Sequence, residues 1–114
     1  AGELKHGPIA LIEPGQPVFV LVPSPRHDDT LHPKIVSNIQ EIRARGARVL
    51  AIAEAGDAAV LPWADEVFAV PPTDVFFEPL LQVVPLQIFA LELASAKGLD
   101  VDQPRNLAKS VTVE

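Results

Sequence analysis

The chain has 114 residues, of which 48% are apolar and 21% charged, so it is long enough for one small domain or for a piece of a larger one. A net charge of −6 and the lack of any Lys/Arg-rich stripe argue against nucleic acid as a partner. The absence of cysteine excludes disulfides, thiolate catalysis and thiolate metal sites within the chain.

The amino-terminal residues bear on the location and completeness of the protein. No basic start precedes an apolar core, as in a secretory signal, and no apolar run approaches the roughly 20 residues that span a bilayer. We therefore expect a cytoplasmic protein that does not enter a membrane. The chain begins without Met, and its first residues resemble the end of a helix, with Lys5 and His6 in the last turn and a left-handed Gly7 before Pro8. We therefore expect an excised piece of a longer protein.

The first half of the chain predicts a strand followed by a helix. The apolar run from Pro17 to Val22 is rich in β-branched residues, which suits a strand buried on both faces of a parallel sheet. Pro33 in a first-turn position and isoleucines at helical spacing over residues 35–42 then predict an amphipathic helix. That helix is expected to end before Gly46.

The second half predicts two further strands and a long helix. Residues Val49 to Ala53 predict a second buried strand, and Glu66 to Val70 predict a third, shorter one. Residues 57–63, between these strands, have room for a short helical turn. Glu78 to Lys97 is the longest predicted helix, and Pro85 inside it predicts a kink or a break into two pieces.

Strands that alternate with helices imply βαβ crossovers and a parallel sheet. We therefore predict an α/β fold, part of a three-layer sandwich with about three strands here, whose remaining cover comes from upstream sequence. Gly98 is expected to end the long helix, so we divide the chain into residues 1–98 and a tail, residues 99–114, of irregular or extended structure. Within the tail, Asp100 and Asp102 are typical of solvated or structural carboxylates.

Two residues near the ends of the chain are candidates for chemistry. His6 in a last helical turn needs no role beyond stabilising the helix dipole, but beside a cleft it would transfer protons near neutral pH. Lys109 in a polar tail is usually just solvated; the alternative is an amine that attacks a sugar carbonyl and forms a Schiff base. That alternative needs burial to keep part of the amine neutral, which the neighbours Leu107, Ala108 and Val111 allow.

Four further side chains resemble metal ligands, but the pattern is weak. They share one loop-to-helix junction, and no third or fourth ligand set stands elsewhere at convincing spacing. They are His27, Asp28, Asp29 and His32. We expect no metal, and the sequence contains no Ser-His-Asp elbow, P-loop or dinucleotide-binding glycine pattern. The residues alone therefore name no reaction.

Motifs at both ends of the chain carry a family resemblance. Residues 1–12, AGELKHGPIALI, resemble the AGELKHGPLALI segment of glutamine:fructose-6-phosphate aminotransferases. Residues 100–114, DVDQPRNLAKSVTVE, resemble the carboxyl terminus of the same family, and Gln103 before Pro104 is similar to its bacterial form. Shorter matches lie at 37–39, 43–46 and 84–87, so the resemblance covers essentially the whole chain.

The resemblance implies a function for a longer protein. The family converts fructose 6-phosphate and glutamine into glucosamine 6-phosphate and glutamate, which supplies UDP-N-acetylglucosamine synthesis. Residues 1–98 are then expected to be the second half of the second of two SIS (sugar isomerase) domains, with an amino-terminal glutaminase domain and the first SIS domain upstream. The resemblance also implies a homodimer of this parent enzyme, and no cofactor.

The resemblance also assigns roles to three residues. Lys109 falls on the lysine that forms the Schiff base with the open-chain sugar, and Ala108 falls on a backbone contact to the substrate. His6 falls on the histidine that helps to open the sugar ring and reaches the site from the neighbouring subunit. The phosphate-holding loops, the glutaminase cysteine and the glutamate that moves the proton lie upstream, so the isolated chain is expected to be inactive.

Two other interpretations stay open at this point. One is a non-catalytic SIS module that senses a sugar phosphate, as in some transcription regulators. The other is a unit that only supports dimerisation and tail docking. Lys109 near a free carboxyl terminus counts against the first, because such modules lack the tail lysine.

Overall fold

A computed structural model describes residues 2–27, 30–103 and 105. Two short 3₁₀ helices come first, Gly2–His6 and Pro8–Leu11. The remaining elements are β1 (Pro17–Leu21), α1 (Leu31–Arg43), β2 (Arg48–Glu54), β3 (Glu66–Val70) and α2 (Glu78–Ala96). All three predicted strands and both predicted helices are thus confirmed. Residues 58–63 form turns, in which the Val60 carbonyl accepts the Trp63 N–H at 2.9 Å and the Ala64 N–H at 3.2 Å.

The three strands form one parallel sheet in the order β1-β2-β3. Val18 stands opposite Val49 across the first pair, and Ala51 stands opposite Val67 across the second. The predicted α/β class with a parallel sheet is therefore confirmed. Because parallel strands end at the same side of a sheet, the loops after all three strands and the start of α2 meet there; we call this region the carboxyl edge.

The two helices cover opposite faces of the sheet, which makes three layers. Alternate strand residues point to opposite faces, and those facing α1 form the main core. This core consists of Val22, Ile39, Ile42, Ala47, Val49, Ala51, Ala53 and Val60. On the other face, the ring of Phe19 packs against Phe89 of α2 with centroids 4.7 Å apart, and Ile52 is fully buried.

The amino-terminal segment differs from its prediction. Gly7 has a φ of 163°, which is extended rather than left-handed, so the predicted left-handed helix end is wrong. Pro8 starts the second 3₁₀ helix directly, and the Gly7 carbonyl accepts the Ala10 N–H at 2.9 Å. The chain therefore continues into another turn at Gly7 and needs no left-handed reversal.

Helix α2 is continuous although Pro85 lies inside it, so of the predicted kink or break the break does not occur. Contacts on both sides of the proline hold the helix against one sheet face. Before it, the Gln82 side-chain amide donates to the Val22 carbonyl at 2.8 Å; after it, Phe89 packs on Phe19. These contacts offset the single backbone hydrogen bond that Pro85 removes.

Much of the α2 surface is apolar and exposed. Only 6% of the most apolar 18-residue stretch of α2 is buried. By length and composition alone, α2 would be able to cross a membrane. This corrects the expectation that no segment approaches such a length. A core helix of a larger domain has the same composition, and α2 is tied to the sheet through Gln82. The exposed side chains include Leu80, Val83, Val84, Ile88, Leu91 and Leu93.

The end of α1 provides a test of the fold. Gly46 has a φ of +88°, its carbonyl accepts the Gly15 N–H at 2.7 Å, and a Cβ added to it would lie 3.0 Å from the Pro14 Cα. Gly56 has a φ of +87° but open space around it. Both Gly→Ala changes introduce about 1–2 kcal/mol of left-handed strain, and only Gly46→Ala adds a backbone clash.

We therefore expect Gly46→Ala to lower the free energy of unfolding by roughly 1–3 kcal/mol more than Gly56→Ala. Urea unfolding of the two variants and of the unchanged chain measures this difference. Equal midpoints for the two variants would show that Pro14 does not approach Gly46 closely.

Candidate functional site

His6 lies at the end of the first 3₁₀ helix, and its side chain is exposed. Two contacts hold the segment that carries it. The Lys5 ammonium pairs with Glu41 of α1 at 2.8 Å, and Leu4 packs against the main core. The imidazole is thus presented from an anchored segment and is accessible to an external ligand.

Lys109 and Ala108 lie outside the described residues, together with the rest of 106–114. The roles of Lys109, Ala108 and His6 stay predictions.

The two suggested metal ligands that the structure describes, His27 and His32, have other partners. The Nε2 of His27 donates to the Thr73 carbonyl at 2.8 Å, and the Nε2 of His32 donates to Asp57 at 2.7 Å. Asp28 and Asp29 lie outside the described residues. Within the described ranges, no group of three or more His, Cys, Asp or Glu side chains is arranged to hold a metal ion.

The His32–Asp57 pair is a buried hydrogen-bonded contact between α1 and the loop after β2. The side chains are 8% and 3% exposed, and Asp57 also accepts the Ala59 N–H at 3.1 Å. The pair joins the first turn of α1 to the loop after β2. Since both groups are withdrawn from water and satisfied by each other, the pair fixes this loop and is closed to an external substrate.

The carboxyl edge contains a polar cluster that sequence reasoning missed. The Arg26 guanidinium, after β1, donates two hydrogen bonds of 2.8 Å to the Glu54 carboxylate at the end of β2. It donates a third, of 3.2 Å, to the Thr73 carbonyl after β3. One guanidinium thus connects all three strand ends with the planar two-point geometry that arginine favours.

The ion pair shifts the protonation of Glu54. Hydrogen bonding from Arg26 is the largest cause, and it lowers the pKa of Glu54 to about 2 although partial burial acts in the opposite direction. The Ser24 hydroxyl and the charge of His27 lower this pKa further. Glu54 in turn raises the pKa of Arg26. Both groups therefore remain charged at neutral pH.

A second part of the cluster fixes the start of α2. The Glu78 carboxylate accepts the Ser24 backbone N–H at 2.5 Å and the Gln82 side-chain amide at 3.1 Å. The same amide group donates to the Val22 carbonyl at 2.8 Å, and Gln82 is 7% exposed. Residues on the first turns of α2 thus occupy the polar groups at the end of β1.

The side chains of the cluster leave little space between them. In open parallel sheets the carboxyl ends of the strands are the usual ligand site. Here Ser24, His27, Glu54, Thr73 and Glu78 surround a cavity of only about 10 Å³, which is at the limit for a single water molecule. Among the described residues, the cluster therefore holds the strand ends and α2 together rather than enclosing a pocket.

A signal for this cluster was present in the sequence. Arg26, Glu54 and Thr73 each stand at or just after the end of a predicted strand, where side chains of a parallel sheet converge. That convergence predicts neighbours but not which side chains pair. Arg26 and Glu54 are 28 residues apart, so the pairing depends on the strand register.

The sequence of this chain is similar to those of known proteins. The family model described as SIS domain matches residues 1–97. Proteins named glutamine–fructose-6-phosphate aminotransferase (isomerizing) match the whole chain, with 82% identity in Leifsonia xyli subsp. xyli and 72% in Tropheryma whipplei. The chain spans 18% of the length of each of these relatives.

A solved structure is also similar. It is the C-terminal domain of glucosamine-fructose-6-phosphate aminotransferase from Francisella tularensis. The TM-score is 0.73 and the identity 35%, over 90% of this chain and 28% of that one. The fold of this chain is thus present as one part of a larger solved domain.

The Glu54 pKa generates a prediction of pH dependence. The folded-state pKa, about 2, lies below the ordinary value of 4.5, so the Arg26–Glu54 pair contributes stability above pH 4.5 that is lost as the pH falls towards 2. We expect Glu54→Gln to lower the free energy of unfolding by about 1–2 kcal/mol at pH 7, since Arg26 is half exposed, and by progressively less below pH 4.5. Urea unfolding of both proteins between pH 7 and pH 2.5 measures this convergence.

Glu66→Gln is the matched control for this experiment. Glu66 pairs with Arg48 at 3.4 Å, and both side chains are more than half exposed. Its removal should change the free energy of unfolding by about 0.5 kcal/mol or less at pH 7. A constant difference between the Glu54→Gln variant and the unchanged chain at all pH values would contradict the assigned ion pair.

Proposed function

This chain belongs to the SIS domain family, and we propose that it is the carboxyl-terminal part of the isomerase half of a glutamine–fructose-6-phosphate aminotransferase. The observation that carries the proposal is the match of all 114 residues to proteins of that name, at 82% and 72% identity. Because the chain spans 18% of their length, the activity belongs to the longer parent. The parent makes glucosamine 6-phosphate from fructose 6-phosphate and glutamine-derived ammonia.

Residues 1–98 form the second half of the second SIS domain, and residues 99–114 form the tail that carries the reactive lysine. The similarity of residues 1–97 to the SIS domain and the end of α2 at Ala96 support this division. The glutaminase domain and the first SIS domain lie upstream in the parent.

Lys109 acts as the nucleophile of the sugar reaction. Its neutral amine attacks the C2 carbonyl of the open-chain ketose, and loss of water leaves an imine that activates the neighbouring carbons. Ammonia then displaces the lysine at C2. An upstream glutamate moves a proton from C1 to C2, which gives the amino aldose. Ala108 contacts the substrate through its backbone.

His6 opens the sugar ring before this step. An imidazole accepts the proton of the anomeric hydroxyl and returns a proton to the ring oxygen. The exposure of His6 on a segment anchored by Lys5 and Leu4 supports this role. In the parent His6 serves the site of the neighbouring subunit, so the active enzyme is at least a dimer.

A structural role is the second candidate function for the isolated chain. The exposed apolar side of α2 favours a unit that docks other parts of the parent. The two functions are compatible, since docking by this piece leaves the aminotransferase role to the parent. Size measurement in solution, with and without the upstream half, separates self-association of this piece from its assembly into the larger domain.

The isolated 114-residue chain should form no detectable glucosamine 6-phosphate from fructose 6-phosphate with either glutamine or ammonia. The phosphate-holding loops and the proton-moving glutamate are expected upstream of it. Product assay of the pure chain at high concentration, beside the full-length parent as positive control, measures this. Turnover by the pure chain would contradict the proposed division of the site.

Lys109→Arg in the full-length parent should abolish sugar turnover, with a loss of at least about 10³-fold, because a guanidinium forms no imine. Glutamine hydrolysis should remain measurable, since it takes place in another domain. Lys97→Arg, at the end of α2, is the matched control and should keep full activity. Survival of sugar turnover in the Lys109→Arg variant would refute the role of this lysine.

A further inference from the structure

The segment that carries His6 is attached to the core both before and after this residue. Leu4 packs against the main core and lines one groove together with Val20 of β1 and Ile39 of α1. Ile12, which follows the second 3₁₀ helix, packs against the same core. The backbone at His6 is thus held close to α1 and β1, while the imidazole stays exposed.

An ion pair adds a contact directly beside His6. The Nζ of Lys5 lies 2.8 Å from the Oε1 of Glu41, in the last turn of α1, and the two side chains are 59% and 30% exposed. Apolar contacts such as that of Leu4 hold the segment near the core but leave it free to rotate, because they have no direction. An ion pair made by the residue next to His6 limits that rotation.

We propose that Glu41 is a positioning residue for ring opening by His6. The inference rests on the proposed function, in which the imidazole takes the proton of the anomeric hydroxyl and returns a proton to the ring oxygen as the C2–O5 bond breaks. Both transfers need hydrogen-bond distance to an oxygen atom, so rotation of the segment lowers the fraction of time in which His6 reaches them. Glu41 acts by holding Lys5 and takes no part in the proton transfer.

The test uses five variants of the full-length parent. Glu41→Gln and Lys5→Gln each remove one side of the ion pair without reversing a charge, and the third variant carries both changes. Glu66→Gln is the matched control, because it removes another exposed ion pair, with Arg48, from the edge of the sheet. His6→Asn reports separately on the proposed function.

Two rates are measured for each variant. One is kcat/KM for glucosamine 6-phosphate formation. The other is the enzyme-dependent exchange between the two furanose anomers of fructose 6-phosphate, followed by NMR without glutamine or ammonia. This exchange passes through the open-chain ketose, so it reports ring opening without the later steps. Glutamine hydrolysis, which takes place in another domain, is measured in the same preparations and shows whether each variant is intact.

We expect Glu41→Gln to lower both rates by about 3–10-fold, a limited loss because the ion pair is partly exposed. Lys5→Gln should have a similar effect, and it carries the test if Glu41→Gln does not fold. The double variant should lose no more than the weaker single variant, since both changes remove the same contact. Glu66→Gln should stay within about 2-fold of the unchanged parent. His6→Asn should lose about 10²-fold or more.

Three results would overturn the proposal. Equal rates for Glu41→Gln and Glu66→Gln would show that the ion pair does not position His6. Additive losses in the double variant would show that Glu41 does not act through Lys5. Slower product formation with unchanged anomer exchange would place the effect at another step. Full rates for His6→Asn, or no exchange with the unchanged parent, would instead refute ring opening in the proposed function, so the two failures are distinguishable.

Discussion

Gln82 is buried where β1 ends, and the rest of the structure depends on its side-chain amide. The amide donates to the Val22 carbonyl and to Glu78, and Glu78 accepts the N–H of Ser24. Apolar contacts alone would allow α2 to slide or rotate on the sheet, because they have no direction. Directional hydrogen bonds at a buried position remove that freedom, since breaking them would leave buried polar groups unsatisfied. The position of the start of α2 is thus fixed from the end of β1.

At the same edge of the sheet, described side chains occupy the space between the strand ends. Parallel sheets usually bind ligands where their strands end, but here Arg26 and Glu54 fill that space and leave about 10 Å³. The candidates for chemistry, His6 and Lys109, instead stand near the two ends of the chain. This arrangement is consistent with an active site completed by other parts of a larger protein, to which this piece contributes an anchored segment and a tail.

The exposed apolar side of α2 is also consistent with a chain that is one piece of a larger protein. Its large apolar side chains exceed what a small monomeric domain usually leaves in water. The relatives are more than five times longer than this chain, which spans 18% of their length, and the solved C-terminal domain exceeds it more than threefold. Both observations point to a sheet and helix that are completed by further layers in the parent.

The sequence by itself determined the local elements. The apolar run of β1 and the glycine stops at Gly46 and Gly98 depend only on neighbouring residues, and the end motifs identified the family. Only the tertiary structure decided the polar contacts and the continuity of α2 through Pro85. Gln82 and Val22 are 60 residues apart, so their hydrogen bond exists only once the parallel register is set. Local propensity predicts a kink or a break at proline, whereas packing of the helix against the sheet on both sides of Pro85 keeps α2 in one piece.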